Sequence, residues 1–378
     1  MRVLVLGAGR VGSAIVRDLA AEDGWRVTAV DRDEGALAAL GVVDGVTTRA
    51  ADLADVETVS ELAREHELVV SAVPGPMGFR TLETVIDAGV DVVDIAFFEE
   101  DPLPLDELAR ARGVRAVVDC GIAPGCSNLI LGWSEATFDR VDRFACMVGG
   151  LPAIRRLPWE YAAVFSPIDV LAEYTRPARL RDGGRDVERP ALSGVELVEI
   201  DGVGTMEAFE TDGLRTLLVN STVPDMVEKT MRYPGHAERI RLLRDAGFLG
   251  EEPVDVGGLQ VRPIDLTAAL LFPAWRLGEG EEDLTAMRVE VDAVRDGTPV
   301  RRRWELLDRY DRDTGTTSMA RTTGYTCTAM VRALAAGLWT REGVSPPELV
   351  GRRPECHDYV MARLAERGVV FEVDERAL

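Results

Sequence analysis

The first residues able to do chemistry are the glycines of Gly7-Ala8-Gly9-Arg10-Val11-Gly12, which follow a short apolar run and open an apolar-periodic segment. This order predicts a strand, a tight turn and a helix. Gly7 permits the turn, Gly9 lets backbone amides approach a pyrophosphate, and Gly12 lets the helix pack closely on the strand. The helix N-terminus adds amide donors and the positive end of its dipole. The motif therefore predicts a dinucleotide-binding site, against the alternative of a plain tight turn.

The acid that ends the second apolar run indicates which dinucleotide binds. Asp31 lies about 20 residues beyond the glycines, the usual spacing for the residue that contacts the adenosine ribose. A carboxylate there accepts hydrogen bonds from both ribose hydroxyls and repels a 2′-phosphate, which favours NAD as the cofactor. Arg32 follows directly and would be able to pair with that phosphate, so NADP stays open.

Two further strand ends are expected to face the same cofactor. A predicted third strand runs into Asp52, and a purely apolar fourth strand ends in Ser71-Ala72-Val73-Pro74. Ligands of open parallel sheets bind outside the carboxyl ends of the strands, so we expect the loop from Ser71 to Pro74 to touch the cofactor through backbone groups. An ordinary strand-to-helix turn is the alternative for this loop.

One basic residue stands apart in the composition. Lys229 is the only lysine among 43 lysine and arginine residues. The pKa of an ammonium group can be lowered by its surroundings, whereas a guanidinium stays charged, so Lys229 is a candidate for proton transfer. Chance survival of a single lysine is the alternative.

The overall composition excludes several classes of partner. The 43 basic and 65 acidic residues give a net charge of −22, which disfavours nucleic acid and anionic membranes as partners. Five cysteines without a CxxC pair and three scattered histidines predict no metal site. The chain starts on a core strand, and no apolar run approaches the roughly 18 residues that cross a bilayer, so we predict a cytoplasmic protein.

The pattern of elements predicts the fold class. Strands and helices alternate over the first part, as in a Rossmann-type doubly wound parallel sheet, and alternating runs after Asp119 predict a second, α+β substrate domain with a mixed or antiparallel sheet. The predicted domains are residues 1–120 for dinucleotide binding, 121–320 for substrate binding and dimerisation, and 321–378 for helices that return to the Rossmann domain.

Three later segments are more specific than the glycine motif. They are Asp119-Cys120-Gly121-Ile122-Ala123-Pro124-Gly125, then Gly149-Gly150-Leu151-Pro152 with Glu160-Tyr161 and Phe165-Ser166, and Lys229-Thr230-Met231-Arg232-Tyr233-Pro234-Gly235-His236. Together with the opening motif, in this order and spacing, they resemble the saccharopine dehydrogenase family, and within it the lysine 6-dehydrogenase branch. One departure is the apolar stretch 162–164, where that branch usually carries polar residues, so the resemblance speaks more for a reaction class than for a substrate.

The resemblance implies oxidation or reductive formation of an amino-acid C–N bond by a homodimer or larger homo-oligomer, with a small amino acid as substrate. The simplest such reaction is oxidative deamination of the L-lysine side-chain amine with NAD. The runner-up is an imine reductase of the saccharopine or carboxynorspermidine type. From a different class, the opening motif also looks like the nucleotide-sensing module of potassium-channel regulators, which would bind a nucleotide without turnover.

Arg232, together with the adjacent Tyr233, is the candidate for binding the substrate carboxylate, because a guanidinium offers two parallel donors. It stands where a predicted strand is turned by Pro234-Gly235 into a helix starting at His236, and element ends of this kind line clefts. A surface arginine is the alternative. Tyr161 and Glu160 are candidates for lining the pocket, with the acid contacting a distal ammonium; a packed aromatic ring and a solvated acid are the alternatives.

Hydride loss from a carbon that bears an amine requires the nitrogen to be neutral, so this reaction needs a general base. The candidates are His236, whose ordinary pKa is near neutrality, Lys229 if its pKa is lowered, and Asp119 at the crossing between domains. Their alternatives are a helix-capping histidine, an incidental lysine and an acid that holds the hinge turn.

Overall fold

The computed structural model describes residues 1–164, 167–278 and 280–378. Phe165 and Ser166, which belong to the segment that begins at Gly149, therefore lie outside the described residues. The described strands are β1 Arg2–Leu6, β2 Arg26–Asp31, β3 Val46–Ala50, β4 Leu68–Ser71, β5 Asp91–Asp94, β6 Arg115–Val117, β7 Arg140–Pro152, β8 Ala178–Asp182, β9 Arg185–Arg189, β10 Glu196–Ile200, β11 Gly204–Glu210, β12 Asp225–Arg232, β13 Val254–Val256, β14 Leu259–Val261, β15 Asp283–Arg295, β16 Thr298–Arg309, β17 Gly343–Ser345 and β18 Glu372–Ala377.

The helices among these residues complete the description. They are α1 Arg10–Ala20, α2 Glu34–Ala39, α3 Val56–Arg64, α4 Gly75–Asp87, α5 Asp106–Arg112, α6 Cys126–Thr137, α7 Pro167–Thr175, α8 Leu217–Asn220, α9 His236–Asp245, α10 Pro263–Ala274, α11 Ser318–Ala335, α12 Pro347–Gly351 and α13 Pro354–Ala365. A short 3-10 turn, Leu103–Leu105, precedes α5.

The chain divides into two compact units, one comprising Met1–Arg140 and Ala320–Val370 and the other Val141–Met319 and Phe371–Leu378. Residues 371–378 fall in the second unit because β18 pairs antiparallel with β16. The prediction had residues 321–378 return to the first unit as a whole, so the last eight residues differ from it. The domain boundaries at 120 and 320 stay a proposal.

The first unit is built on a seven-stranded sheet in the order β17-β6-β5-β4-β1-β2-β3. Every neighbouring pair is parallel. Strands β1 and β4 are apolar almost throughout because both faces of a parallel sheet are covered, and residues 3–6 and 69–71 have no exposed surface. Six of the strands have the doubly wound order that the alternating sequence pattern predicts, and β17 adds a seventh at the edge.

The segment from Ala320 completes this first unit through helix α11. A Cβ built on Gly324 would lie 3.3 Å from the Ile15 side chain, so α11 packs closely on α1. Arg332 donates to the Asp18 carboxylate at 2.7 Å and to Glu22 at 2.5 Å from a side chain that is 4% exposed. Close packing and ion pairs thus bind a late part of the chain to the first helix.

The second unit contains a nine-stranded mixed sheet. Its main path is β10-β11-β12-β7-β15-β16-β18, with β8 and β9 joined at the side of β12. Strand β12 runs parallel to β7 and antiparallel to β11. Neighbouring residues of β12 point to opposite faces, and each face carries its own apolar core. The prediction of a Rossmann-type unit followed by an α+β unit with a mixed sheet is confirmed.

Two hairpins escaped the sequence analysis. β8 and β9 are joined by Gly183-Gly184, and β13 and β14 by Gly257-Gly258, with all four glycines at positive φ. Such glycine pairs are the usual two-residue hairpin signal. In the part of the chain described above, no helix is both long and apolar enough to cross a membrane.

Candidate functional site

The glycine motif of the first unit is shaped by close backbone contacts. Gly7 has a φ of +99°, and a Cβ there would lie 2.4 Å from the Ala72 carbonyl oxygen. A Cβ on Gly12 would lie 2.0 Å from the Gly7 carbonyl oxygen. Both positions therefore exclude any larger residue, because backbone atoms cannot yield as side chains do.

Gly9 differs from its two neighbours, since a Cβ built there would meet nothing within 4 Å. Its backbone has an ordinary extended conformation, and it precedes α1 without a side chain that could cap the helix amides. The fold therefore does not require glycine at this position. The open space and the uncapped amides are what a pyrophosphate needs, so the cradle fits a dinucleotide.

Asp31 lies at the carboxyl end of β2 and is tied to this loop. Its Oδ2 accepts a hydrogen bond from the Ala8 amide at 2.7 Å, and its Oδ1 accepts one from the Asp33 amide at 2.9 Å. Arg32 beside it is exposed. Asp52, also exposed, follows β3 and accepts from the Ala54 amide at 3.0 Å, so it holds a turn.

The loop after β4 packs against the glycine turn. The Ala72 amide donates to the Leu6 carbonyl at 2.8 Å, and Pro74 directly precedes helix α4, with Val73 buried between them. Ser71 is fully buried, and its hydroxyl makes no hydrogen bond to the described residues. The loop is therefore both a strand-to-helix turn and a wall of the cradle.

Two buried acids continue the same edge of the sheet. Asp94 ends β5 with no exposed surface, and Asp119 follows β6 with 2% exposure and a φ of +52°. The Asp94 carbonyl accepts from the Cys120 amide at 2.9 Å, which links the two turns. Sequence reasoning proposed Asp119 and missed Asp94, although an acid at the end of a Val-Val run carries the same signal as Asp31.

The second unit holds a buried guanidinium at the end of β12. Arg232 is 2% exposed and donates from Nε to the Tyr174 hydroxyl at 3.2 Å, from Nη1 to the Met231 carbonyl at 2.9 Å and from Nη2 to Glu173 at 2.8 Å. Its Cζ lies 4.7 Å from the centre of the Tyr161 ring. The residues of the Arg232 cluster are Tyr161, Glu173, Tyr174, Arg232, His236 and Trp275.

Hydrogen bonding fixes the tautomer of His236. The Tyr174 hydroxyl accepts from Arg232 and has one proton of its own, which it donates to His236 Nε2 at 2.9 Å. Nδ1 of the histidine then carries the ring proton and donates to the Trp159 carbonyl at 3.2 Å. Burial and the Arg232 charge lower the pKa of His236 to about 3. The imidazole is therefore neutral at physiological pH, with both nitrogens engaged.

Two polar atoms in this cluster have no partner among the described residues. The Tyr161 hydroxyl and the Trp275 indole nitrogen are buried without a hydrogen bond. Burial raises the pKa of Tyr161 well above its ordinary value, so its hydroxyl is a neutral donor. A buried donor without a partner is costly, and a ligand that accepts from it relieves that cost.

Lys229 and Tyr233 do not join the Arg232 cluster. Three positions separate Lys229 from Arg232 along β12, so their side chains leave opposite faces. The Lys229 ammonium donates to Glu196 at 2.6 Å and to the Gly194 carbonyl at 2.7 Å. Tyr233 also packs on that second face, and its hydroxyl donates to the Pro152 carbonyl at 3.0 Å.

Glu160 is held by two arginines. Its oxygens accept from Arg155 at 2.8 Å and from Arg239 at 3.1 Å. The hydrogen bond from Arg155 and the charges of both arginines hold the pKa of Glu160 below its ordinary value. With both oxygens paired, this acid has little freedom to contact a distal ammonium.

The structure thus brings together three of the predicted residues, Arg232, His236 and Tyr161. Sequence reasoning missed Glu173 and Tyr174 of helix α7, which supply the partners of Arg232. An acid and a tyrosine side by side in a helix carry no spacing signal. Among the described residues, no group of three or more His, Cys, Asp or Glu side chains is arranged to hold a metal ion, and all five cysteines are buried free thiols.

Comparison with known proteins covers both units. Residues 3–117 match the model of the saccharopine dehydrogenase NADP binding domain, and residues 121–369 match that of the saccharopine dehydrogenase C-terminal domain. The chain belongs to the saccharopine dehydrogenase family. The resemblance found in the sequence is confirmed at this level, and so is a nicotinamide dinucleotide as the cofactor that the first domain is built to bind.

Curated relatives of this family are distant in sequence. The L-glutamate-forming, NADP(+) saccharopine dehydrogenase of Saccharomyces cerevisiae is 21% identical over 75% of this chain and 66% of its own length. The protein of that name from Pyricularia oryzae is 25% identical over 66% of this chain and 58% of its own. α-Aminoadipic semialdehyde synthase of Arabidopsis thaliana is 22% identical over 66% of this chain and 27% of its own. The chain thus spans between about a quarter and two thirds of these relatives.

A solved structure of the family shares the fold. Apo saccharopine dehydrogenase (L-Glu forming) from Saccharomyces cerevisiae superposes with a TM-score of 0.80 at 19% identity, covering 100% of both chains. The match of residues 121–369 to the family's C-terminal domain argues against the nucleotide-sensing alternative.

The contrast between two glycines gives a first prediction. Gly9→Ala should leave the urea midpoint of unfolding unchanged and weaken dinucleotide binding, because its Cβ enters the open space of the cradle. Gly12→Ala, the matched variant, should lower the free energy of unfolding by about 1–3 kcal/mol because its Cβ meets the Gly7 backbone. Titration of intrinsic fluorescence with NAD and NADP and urea melts check both. Equal destabilisation by the two variants would contradict the assignment of separate roles.

The position of Lys229 gives a second prediction. Lys229→Arg should keep turnover within about twofold, because an arginine can maintain the ion pair with Glu196. Lys229→Met should instead lower the free energy of unfolding by about 1–3 kcal/mol through the lost hydrogen bonds. Steady-state kinetics and urea melts measure the two effects. A loss of turnover in Lys229→Arg without a change in stability would restore the lysine as a base.

The lowered pKa of His236 makes stability depend on pH. In the unfolded chain His236 has an ordinary pKa of 6.5, whereas in the folded protein its pKa is about 3. Between these two pH values only the unfolded chain binds the proton, so the free energy of unfolding falls as the pH falls through that range. We expect the free energy of unfolding of His236→Gln to fall less than that of the unmodified protein between pH 7 and 5, by about 2 kcal/mol. Urea melts at both pH values measure it. Parallel pH dependences would refute the buried neutral state.

Proposed function

We propose that this protein is a nicotinamide-dinucleotide-dependent oxidoreductase acting on an amino-acid C–N bond, most simply the oxidative deamination of the L-lysine side-chain amine. The carbon bearing that amine loses a hydride to the dinucleotide and becomes an imine carbon, and water hydrolyses the imine to an aldehyde with release of ammonia. The resulting semialdehyde cyclises onto the α-amine with loss of water. The observation that carries the proposal is the buried Arg232 guanidinium, which sits at a strand end in the C-terminal domain of a saccharopine dehydrogenase family member. The bound dinucleotide supplies a hydride acceptor.

Arg232 is suited to a substrate carboxylate. Three of its five N–H donors have partners among the described residues, which leaves one on each terminal nitrogen. Two parallel donors are the geometry that a carboxylate accepts best. Tyr161, which stacks on the guanidinium, adds a hydroxyl without a partner in the described chain, so it serves as a third donor.

The amine must lose a proton before a hydride can leave, and the three predicted bases differ in how well they serve. Lys229 is engaged on the other face of β12. The lone pair on His236 Nε2 accepts the hydrogen bond from the Tyr174 hydroxyl, so the histidine orients Tyr174 and, through it, Arg232. Asp119 stays the third candidate base, because it follows β6 at the carboxyl edge of the doubly wound sheet, where such folds hold their ligands.

The choice of dinucleotide rests on Asp31. Its carboxylate, partly exposed at the end of β2, opposes a 2′-phosphate, which supports NAD. The names of the two fungal relatives specify NADP(+), and Arg32 is exposed beside the acid. We propose that this chain uses NAD in preference.

The relatives' names support a second candidate, oxidation of saccharopine to glutamate and a semialdehyde. This reaction also breaks a C–N bond after hydride loss, but its substrate carries a second amino-acid moiety. A pocket that accepts saccharopine must therefore offer a second carboxylate site, and substrate preference separates the two candidates.

A single assay tests the proposal. The purified protein is mixed with NAD or NADP and with L-lysine, L-ornithine, saccharopine or cadaverine, and formation of the reduced dinucleotide is followed at its absorbance. We expect turnover with L-lysine and NAD and little with cadaverine, which has no carboxylate for Arg232. Turnover with saccharopine alone would favour the second candidate, and no turnover with any amine would exclude both.

The role of Arg232 gives a further prediction. Arg232→Lys keeps the charge and loses the bidentate geometry, so KM for the amino acid should rise by about tenfold or more while affinity for the dinucleotide stays constant. Arg312→Lys, at an exposed arginine that pairs with Glu282, is the matched control and should behave like the unmodified protein. Unchanged KM in Arg232→Lys would show that Arg232 only supports the fold.

A further inference from the structure

We propose that Glu173 recognises the substrate's α-ammonium group, so that the Arg232–Glu173 pair selects a free α-amino acid. This inference rests on the proposed function only in placing the substrate at the Arg232 cluster. Glu173 would set specificity at the non-reacting end of the substrate. Neither the sequence pattern nor the family match points to a residue for that role.

The two members of the pair differ in exposure. The Arg232 side chain is 2% exposed, whereas that of Glu173 is 21% exposed. Glu173 Oε2 accepts from Arg232 at 2.8 Å, and its Oε1 accepts no hydrogen bond from the described residues. The carboxylate therefore has one oxygen committed to the guanidinium and one able to accept from a ligand.

The charge balance of the cluster favours a zwitterion. Arg232 and Glu173 cancel one another, and the other members are neutral, since His236 has its pKa lowered to about 3 and burial raises the pKa of Tyr174 to about 12. A ligand that brings only a carboxylate would leave an uncompensated negative charge in a buried site, which is costly. An α-amino acid brings one charge of each sign and so adds no net charge to the site.

The surroundings of Glu173 strengthen the preference for a cation. Burial raises the pKa of Glu173 and the charge of Arg232 lowers it; Asp169, one helical turn earlier on α7, adds a negative charge that raises this pKa further. A donor with a positive charge relieves this repulsion. In every free α-amino acid the α-ammonium is bonded to the carbon that bears the carboxylate, so a carboxylate bound by Arg232 brings a cation close to the neighbouring Glu173.

A binding experiment without turnover tests this inference. L-Norleucine has the α-amino and α-carboxylate groups of L-lysine but no side-chain amine, and hexanoate has the carboxylate alone. Isothermal titration in the presence of NAD should show that the unmodified protein binds norleucine at least tenfold more tightly than hexanoate. Glu173→Gln, which removes the charge and keeps the shape, should abolish that preference by weakening norleucine tenfold or more and leaving hexanoate equal or tighter.

Controls keep the outcome interpretable. Glu173→Asp preserves the charge and should retain the preference even if affinity falls, and Glu282→Gln, at the exposed pair with Arg312, should change nothing. Circular dichroism and thermal melting establish that each variant is folded. The inference is overturned if Glu173→Gln weakens both ligands equally, if Glu173→Asp loses the preference as the glutamine variant does, or if the unmodified protein binds hexanoate as well as norleucine.

The same variants separate this inference from the proposed reaction. A preference for norleucine that is lost in Glu173→Gln, without oxidation of any amine by the unmodified protein, would support the inference and exclude the reaction. 6-Aminohexanoate is L-lysine without its α-amine. If the unmodified protein oxidises both compounds with the same kcat/KM, and Glu173→Gln does so too, the reaction is supported and the inference is overturned.

Discussion

A buried guanidinium must have partners, and that requirement organises the second unit. Arg232 is enclosed at the end of β12, and its hydrogen bonds reach helix α7 through Glu173 and Tyr174. Tyr174 in turn fixes His236 at the start of α9. One charged group thus joins a strand and two helices, and aromatic rings pack around it. The features proposed for substrate recognition and those that hold this part of the fold are the same hydrogen bonds.

The first unit depends on a constraint of a different kind, the absence of side chains. Gly7 and Gly12 are in contact with backbone atoms, whereas Gly9 faces open space. Two glycines are therefore required by the fold and one is required only for ligand approach. A sequence motif of three glycines combines these two requirements, and only the structure distinguishes them.

Features that neighbouring residues encode were predicted from the sequence, whereas features that depend on how distant elements pack together were not. The glycine turn and the junction from Arg232 to His236 are each encoded by neighbouring residues. Glu173 acquires its role only when α7 packs beside β12, which no spacing in the sequence reveals. The separation of Lys229 from Arg232 was predictable from the sequence, because the two-residue period of a strand places their side chains on opposite faces. Asp94 was overlooked although Asp31 ends its strand in the same way.

The late segment that completes the first unit also bears on how this chain is made. Strand β6 receives its outer neighbour β17 only from residues 343–345, and Asp18 receives its arginine from position 332. Contacts this distant along the chain form only after a long loop has closed. The dinucleotide-binding unit therefore cannot be finished while the ribosome is still translating the middle of the message, so its edge strand and first helix wait, incompletely covered, until more than 300 residues have emerged.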